Sequence, residues 1–234
     1  AKTWVLTSAE GNIEQGNWRI TSDQLNIKDQ QFSIEQVVLH GGKQEGSKVI
    51  KLTSKNGLTI ALSPTRGMNL LYADGFGVHM GWSSPVKEVV NPAFINLESR
   101  NGLGWLEGFN EMVVRCGYEW TGHPVTADGQ LYTLHGKAGN TPASQVSVDV
   151  SEKAPYEIRI RGLVKESTFK KADLQTEMEL RYIPGSNSFS LHDVLTNHAD
   201  YPHDYQIIYH SNFSKPILEE GARFITPLES VSPF

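Results

Sequence analysis

Two histidines stand where a chain of this kind can do proton chemistry. His135 ends the run Leu131-Tyr132-Thr133-Leu134-His135-Gly136, and His210 follows the apolar stretch Tyr205–Tyr209 in Tyr209-His210-Ser211-Asn212-Phe213. Each closes a strand-like run beside Gly or Asn, which suit a turn. A strand holds its last side chain in place while the loop beyond leaves room for a ligand. Imidazole is the side chain best matched to proton transfer near neutral pH. Taken singly, each reads more readily as a satisfied turn histidine; the pair points to chemistry at one substrate oxygen.

Other polar residues are candidates to surround such a pair. Arg66, between Ser63-Pro64-Thr65 and Gly67, has the forked donors that suit sugar hydroxyls or a carboxylate, although a surface ion pair is the commoner fate of an arginine. Asn110, Glu111, Arg115 and Cys116 fall within one decapeptide, Gly108–Gly117. Glu111 and Arg115 are four apart, so on a helix they would pair with each other. Arg66, Glu111, Arg115 and Asn212 are taken together as the candidate substrate contacts. Trp82, Trp105 and Trp120 could stack on a pyranose, but tryptophan is more often core. His198 and His203 have no zinc-motif spacing and read as solvated loop residues. Cys116 reads as a small buried apolar residue.

The elements that must position these side chains are strands. Period-two alternation marks Glu157–Lys165 and Leu174–Ile183, and further strands are expected at Gln36–Leu39, Ser47–Ser54, Leu58–Leu62, Met68–Ala73, Ser144–Ser151, Ser188–Asn197 and Tyr205–Tyr209. Asn56-Gly57 is the best hairpin signal, and Pro184-Gly185-Ser186-Asn187 is a second turn. Short helices are expected only at Thr21–Ile27 and Asn101–Val114. The segment from Gly75 to Pro142, rich in Gly, Pro, Trp and Asn, reads as loops folded over one face or end of the sheets. The expectation is an all-β fold, one large antiparallel sandwich domain over residues 1–234.

Composition narrows the function classes. With 234 residues, 38% hydrophobic and 20% charged, the chain can bury a substantial core. A net charge of −5 with no basic cluster argues against nucleic acid and anionic membrane as partners. The single cysteine favours a reducing compartment, hence the cytoplasm, and Ala1–Gly11 has no signal-peptide core. There is no phosphate loop, nucleophile elbow or metal motif, so no cofactor is expected.

The chain resembles the aldose 1-epimerase (galactose mutarotase-like) superfamily, in particular its divergent branch of unassigned function. The segments that carry the resemblance are Ser63-Pro64-Thr65-Arg66-Gly67-Met68, Gly81-Trp82-Ser83-Ser84-Pro85, Gly102–Phe109, Arg115-Cys116-Gly117, Leu134-His135-Gly136 and Tyr209–Phe213. The resemblance implies a supersandwich that binds a hexose in a cleft on the sheet, with His135 contacting the sugar. It also implies a second histidine acting as general acid on the ring oxygen. His198, in Thr196-Asn197-His198, and His210 compete for that role; His210, at a strand end, fits better. The implied general base is a late glutamate. Glu219 and Glu220 follow His210 too closely to match it, so the base is expected outside these 234 residues or lost. The implied activity is anomer interconversion of a small-molecule sugar. The rivals are a non-catalytic sugar-binding module on the same fold and, less well supported, a metal-dependent sugar isomerase.

Overall fold

The computed structural model describes residues 1–232. The chain opens with β1 (Lys2–Ser8), β2 (Ile13–Glu14) and β3 (Trp18–Thr21). A meander follows of β4 (Phe32–Val38), β5 (Lys48–Ser54), β6 (Thr59–Ser63) and β7 (Asn69–Gly75), with β8 (Val78–Met80) folding back on β7. Next come β9 (Val113–Tyr118) and the hairpin β10 (Val125–Ala127) and β11 (Gln130–Tyr132). The last strands are β12 (Gln145–Val150), β13 (Ile158–Ser167), β14 (Asp173–Tyr182), β15 (Phe189–Asn197) and β16 (Gln206–Ser211).

These strands build an antiparallel β-sandwich. One sheet runs β15-β14-β13-β12-β1-β2; the other runs β16-β9-β7-β6-β5-β4-β3, with β8 beside β7. Strict alternation explains the first sheet. Ile158, Ile160 and Val164 of β13 and Leu174, Met178 and Leu180 of β14 are buried, while their sequence neighbours face outward. They pack in one cluster with Ile34, Ile50, Leu52 and Ile60 from the other sheet. Each such side chain contributes roughly 1.5–3 kcal/mol by leaving water.

Both expected turns form, and they dock on each other. Asn56 takes φ +57° in the β5–β6 hairpin, and Gly185 takes φ +83° between β14 and β15. The Leu58 N–H donates to Tyr182 Oη at 2.9 Å, the Tyr182 hydroxyl donates to Ser186 O at 2.8 Å, and Gly185 N–H donates to Ser54 Oγ at 2.8 Å. A Cβ on Gly57 would press into Tyr182 Oη and lie 2.9 Å from Ser54 Oγ. Tyr182 is only 1% exposed and has little room to yield. Gly57→Ala is therefore expected to cost about 1–3 kcal/mol, read as a lowered urea midpoint at unchanged m-value. An unshifted midpoint would show that the joint gives way freely.

The middle of the chain departs from expectation. No helix spans Asn101–Val114: a single turn at Ser99–Gly102 and a 3-10 turn at Gly104–Glu107 precede β9. All six residues of β9 are buried, between β7 and β16. A strand covered on both faces shows no alternation, so its sequence gives no period-two signal. At Thr21–Ile27 only a 3-10 turn, Asp23–Leu25, forms, and β1 and β3 were not anticipated.

Candidate functional site

The site is built where β9, β16 and the turn at His135 meet. His135 has φ +58° and Gly136 φ +71°, so the chain reverses sharply there. Backbone bonds pin the reversal on both sides: Leu134 N to Gly102 O (2.8 Å), His135 N to Gly122 O (2.9 Å), Gly117 N to His135 O (3.1 Å) and Lys137 N to Gly117 O (3.0 Å). Glycine at 136 is required by close approach as well as by φ, since a Cβ there would run into the carbonyls of Trp120 and Gly117. A non-glycine residue held left-handed by this many bonds has its side-chain direction set by the fold.

His210 reaches the same place from β16, which pairs with β9 so that His210 lies opposite Val114. The two imidazoles stand 5.2 Å apart, centre to centre, edge to face. Trp105 packs against both, at 4.6 Å from His135 and 5.8 Å from His210. Phe109 covers His210 at 5.2 Å and is itself flanked by Trp105 at 4.5 Å and Trp82 at 4.7 Å. The Nδ1 atoms of both histidines are buried without a hydrogen-bond partner, so no carboxylate orients either ring through that nitrogen. Paired half-buried imidazoles beside Trp105 and Phe109 can exchange hydrogen bonds with a polar ligand through the ring nitrogens that are not buried.

The arginines and Glu111 are buried. Arg66 is 1% exposed and Glu111 is 0% exposed, joined by Nε to Oε1 at 2.6 Å. Arg66 Nη1 also donates to Val90 O and Asn140 Oδ1, each at 3.0 Å. Glu111 accepts further bonds from Asn69 Nδ2 (3.3 Å) and the Asn110 N–H (3.1 Å). Arg115 pairs with Asp193 of β15 by two bonds, at 2.6 and 3.0 Å, and Tyr209 Oη adds a third to that carboxylate at 2.8 Å. The sequence offered a surface ion pair for Arg66 and a helical Glu111–Arg115 pair; neither forms, because residues 113–118 are strand and both arginines are internal. The charged groups of these three residues, expected as substrate contacts, are each bonded to partners inside the protein. Asn212 ties its end, Nδ2 donating to Glu111 O and His210 O, both at 3.1 Å.

The remaining candidates separate cleanly. His198 is exposed in the loop after β15, whereas His210 lies beside His135. His203 is not the solvated residue expected: its side chain is 19% exposed and its ring lies 3.9 Å from Glu119. Cys116 is buried and its thiol is pushed up to about 12, chiefly by burial, so it is not a nucleophile at neutral pH. Trp105 is core at 2% exposure, whereas Trp82 and Trp120 are half-buried. Asp193 was missed, although a signal existed. It sits at an inward position of β15 in the series Phe189, Leu191, Asp193, Leu195, where a lone acid demands a partner. Among the described residues, no three His, Cys, Asp or Glu side chains are grouped to hold a metal ion, and no helix is long and apolar enough to cross a membrane.

Burial, then the nearby His210 and His123, push the His135 imidazole down to about 4. It is therefore neutral at pH 7, able to give or accept a hydrogen bond but not to serve as a standing acid. An unfolded histidine titrates near 6.5. Between about 6.5 and 4 the unfolded chain binds a proton that the folded chain refuses. The stability His135 contributes is thus full above about 6.5 and is lost as pH falls toward 4. NMR titration should find the ring still neutral at pH 5, and His135→Asn should flatten the fall in urea midpoint across that window. Protonation near 6.5 would contradict the buried placement.

Comparison with known proteins adds the following. Residues 44–234 match the model of a family described as a domain of unknown function (DUF4432). A crystal structure described as "a putative aldose 1-epimerase from Klebsiella pneumoniae subsp. pneumoniae MGH 78578" is 82% identical and superposes with a TM-score of 0.95. The alignment covers 97% of this chain and 59% of that one, so the present chain spans less than two thirds of its length. No curated protein matches.

Proposed function

This chain belongs to the DUF4432 family, and from that premise we propose that it binds a sugar at His135 and His210 and takes part in interconverting its anomers. The observation that carries the reading is the 5.2 Å approach of two imidazoles from segments 75 residues apart, over Trp105 and Phe109. The aldose 1-epimerase description of the 82% identical structure supports it.

The chemistry is a proton relay. A base removes the hydrogen of the anomeric hydroxyl, whose electron pair forms the carbonyl as the bond from the anomeric carbon to the ring oxygen breaks. His210 delivers a proton to that ring oxygen. Rotation about the bond to the aldehyde carbon, followed by reclosure, returns the proton and gives the other anomer. His135, neutral at pH 7, hydrogen-bonds the sugar and fixes its position. Electrons stay within the substrate, so no redox partner enters the balance.

A second reading is favoured by one observation. The buried carboxylates Glu111 and Asp193 are held by Arg66 and Arg115 and have no free role as base. A protein that binds sugar without turning it over would have this arrangement. NMR exchange spectroscopy on a panel of hexoses separates the two. Saturable binding with faster anomer exchange supports the epimerase, binding without it supports the module, and neither would sink both.

A further inference from the structure

A cavity of about 640 Å³ opens beside the His135 turn, lined by Gly136 and Lys137 but by neither histidine of the pair. Its other walls are the residues just past β9, the β10–β11 hairpin and Glu166 of β13. Trp120 and Tyr132 form an aromatic side, their rings 5.4 Å apart and tilted by 43°. Leu97 and Leu131 continue it with hydrocarbon.

The charge of this space is not balanced. Glu98, Glu119 and Glu166 line it against a single lysine, Lys137. Glu166 is 7% exposed and accepts the Tyr118 N–H at 2.7 Å, yet no cationic side chain pairs with it among the described residues. Burial pushes its carboxyl above the usual range, although the Tyr118 N–H and the charge of Lys137 pull the other way. The Glu119 side chain is 14% exposed and has only the His203 ring, at 3.9 Å. Carboxylates this deep ordinarily have a cation at hand. A neutral polyol would leave the deficit in place, and an anion would deepen it. An ammonium group is drawn both to the carboxylates and to the faces of indole and phenol rings, and an apolar body joined to it gains by leaving water against Leu97 and Leu131.

We propose that this cavity is a second ligand site that takes an organic cation, its ammonium held by Glu166 and Glu119 and its apolar body resting against Trp120 and Tyr132. The site is independent of the histidine pair and stands whether or not His135 and His210 bind a sugar.

The test compares three probes of one shape and different charge, phenethylamine, phenethyl alcohol and phenylacetate, by calorimetry and by NMR titration. The amine should bind about tenfold tighter than the alcohol, and phenylacetate weakest of the three. Amide shifts on adding the amine should centre on Gln130–Tyr132 and Lys137. The preference for amine over alcohol should collapse toward one in Glu166→Gln, and Trp120→Leu should weaken the amine and the alcohol together. Glu119→Gln, at a less buried position, should reduce the preference as well and keeps the test valid if Glu166→Gln fails to fold. Equal binding of amine and alcohol, a preference indifferent to both glutamates, shifts centred on His210, or no binding of the amine would each overturn the proposal.

Discussion

Glu111→Ala is expected to cost about 3–5 kcal/mol, the cost of stranding a buried charge. That is a large part of the 5–15 kcal/mol that holds a typical domain. The substitution leaves the Arg66 guanidinium 1% exposed with only the Val90 carbonyl and Asn140 Oδ1 as partners. It also frees Asn69 Nδ2 and the Asn110 N–H from their carboxylate acceptor. Arg66→Ala should be comparably damaging for the converse reason. The double variant Arg66→Met/Glu111→Leu should be milder than either single change, because a buried pair exchanged for apolar volume removes two desolvation costs at once. With the single variants Arg66→Met and Glu111→Leu added, urea unfolding measures the coupling as a double-mutant cycle. Single changes costing under about 1 kcal/mol, as exposed pairs do, would mean that water reaches the pair.

The other large effect is catalytic. His210→Ala should slow anomer exchange by on the order of 10²–10⁴-fold, the usual contribution of a positioned acid or base, while sugar affinity falls much less. The ring oxygen gains most of its basicity as the ring opens, so the missing proton donor matters chiefly in the transition state. His135→Ala should weaken binding and exchange together, since it removes a contact already present with bound sugar. Exchange spectroscopy on the longest available form of the protein, with binding measured in parallel, reads both. Undiminished exchange in His210→Ala would remove this residue from the reaction.

What the sequence could express depended on how each residue is covered. Strands with one dry face, such as Ile158–Ser167, announce themselves by alternation, and Asn56-Gly57 declares its turn by conformational need. The closing histidines were visible because each follows an apolar run and borders a turn. Val113–Tyr118, dry on both faces, has no period to read, and its first two residues fell inside the helix expected at Asn101–Val114. The partners of Arg66 and Arg115 were hidden for another reason. Asn140 lies 74 residues from Arg66 and Asp193 lies 78 from Arg115, so the sheet topology and not local spacing selects them.

The hydroxyl of Tyr182 makes one amide into a clock for assembly. The Leu58 N–H sits at a hairpin end, where amides ordinarily exchange with solvent as the hairpin frays. Its acceptor belongs to a residue 124 positions later and in the opposite sheet. The β5–β6 hairpin can therefore close without protecting this hydrogen, and protection arises only once β14 has folded and the two layers have met. In a pulse-labelling experiment Leu58 should acquire protection later than the ladder amides between β5 and β6, dating the moment at which two separately zipped sheets become one body.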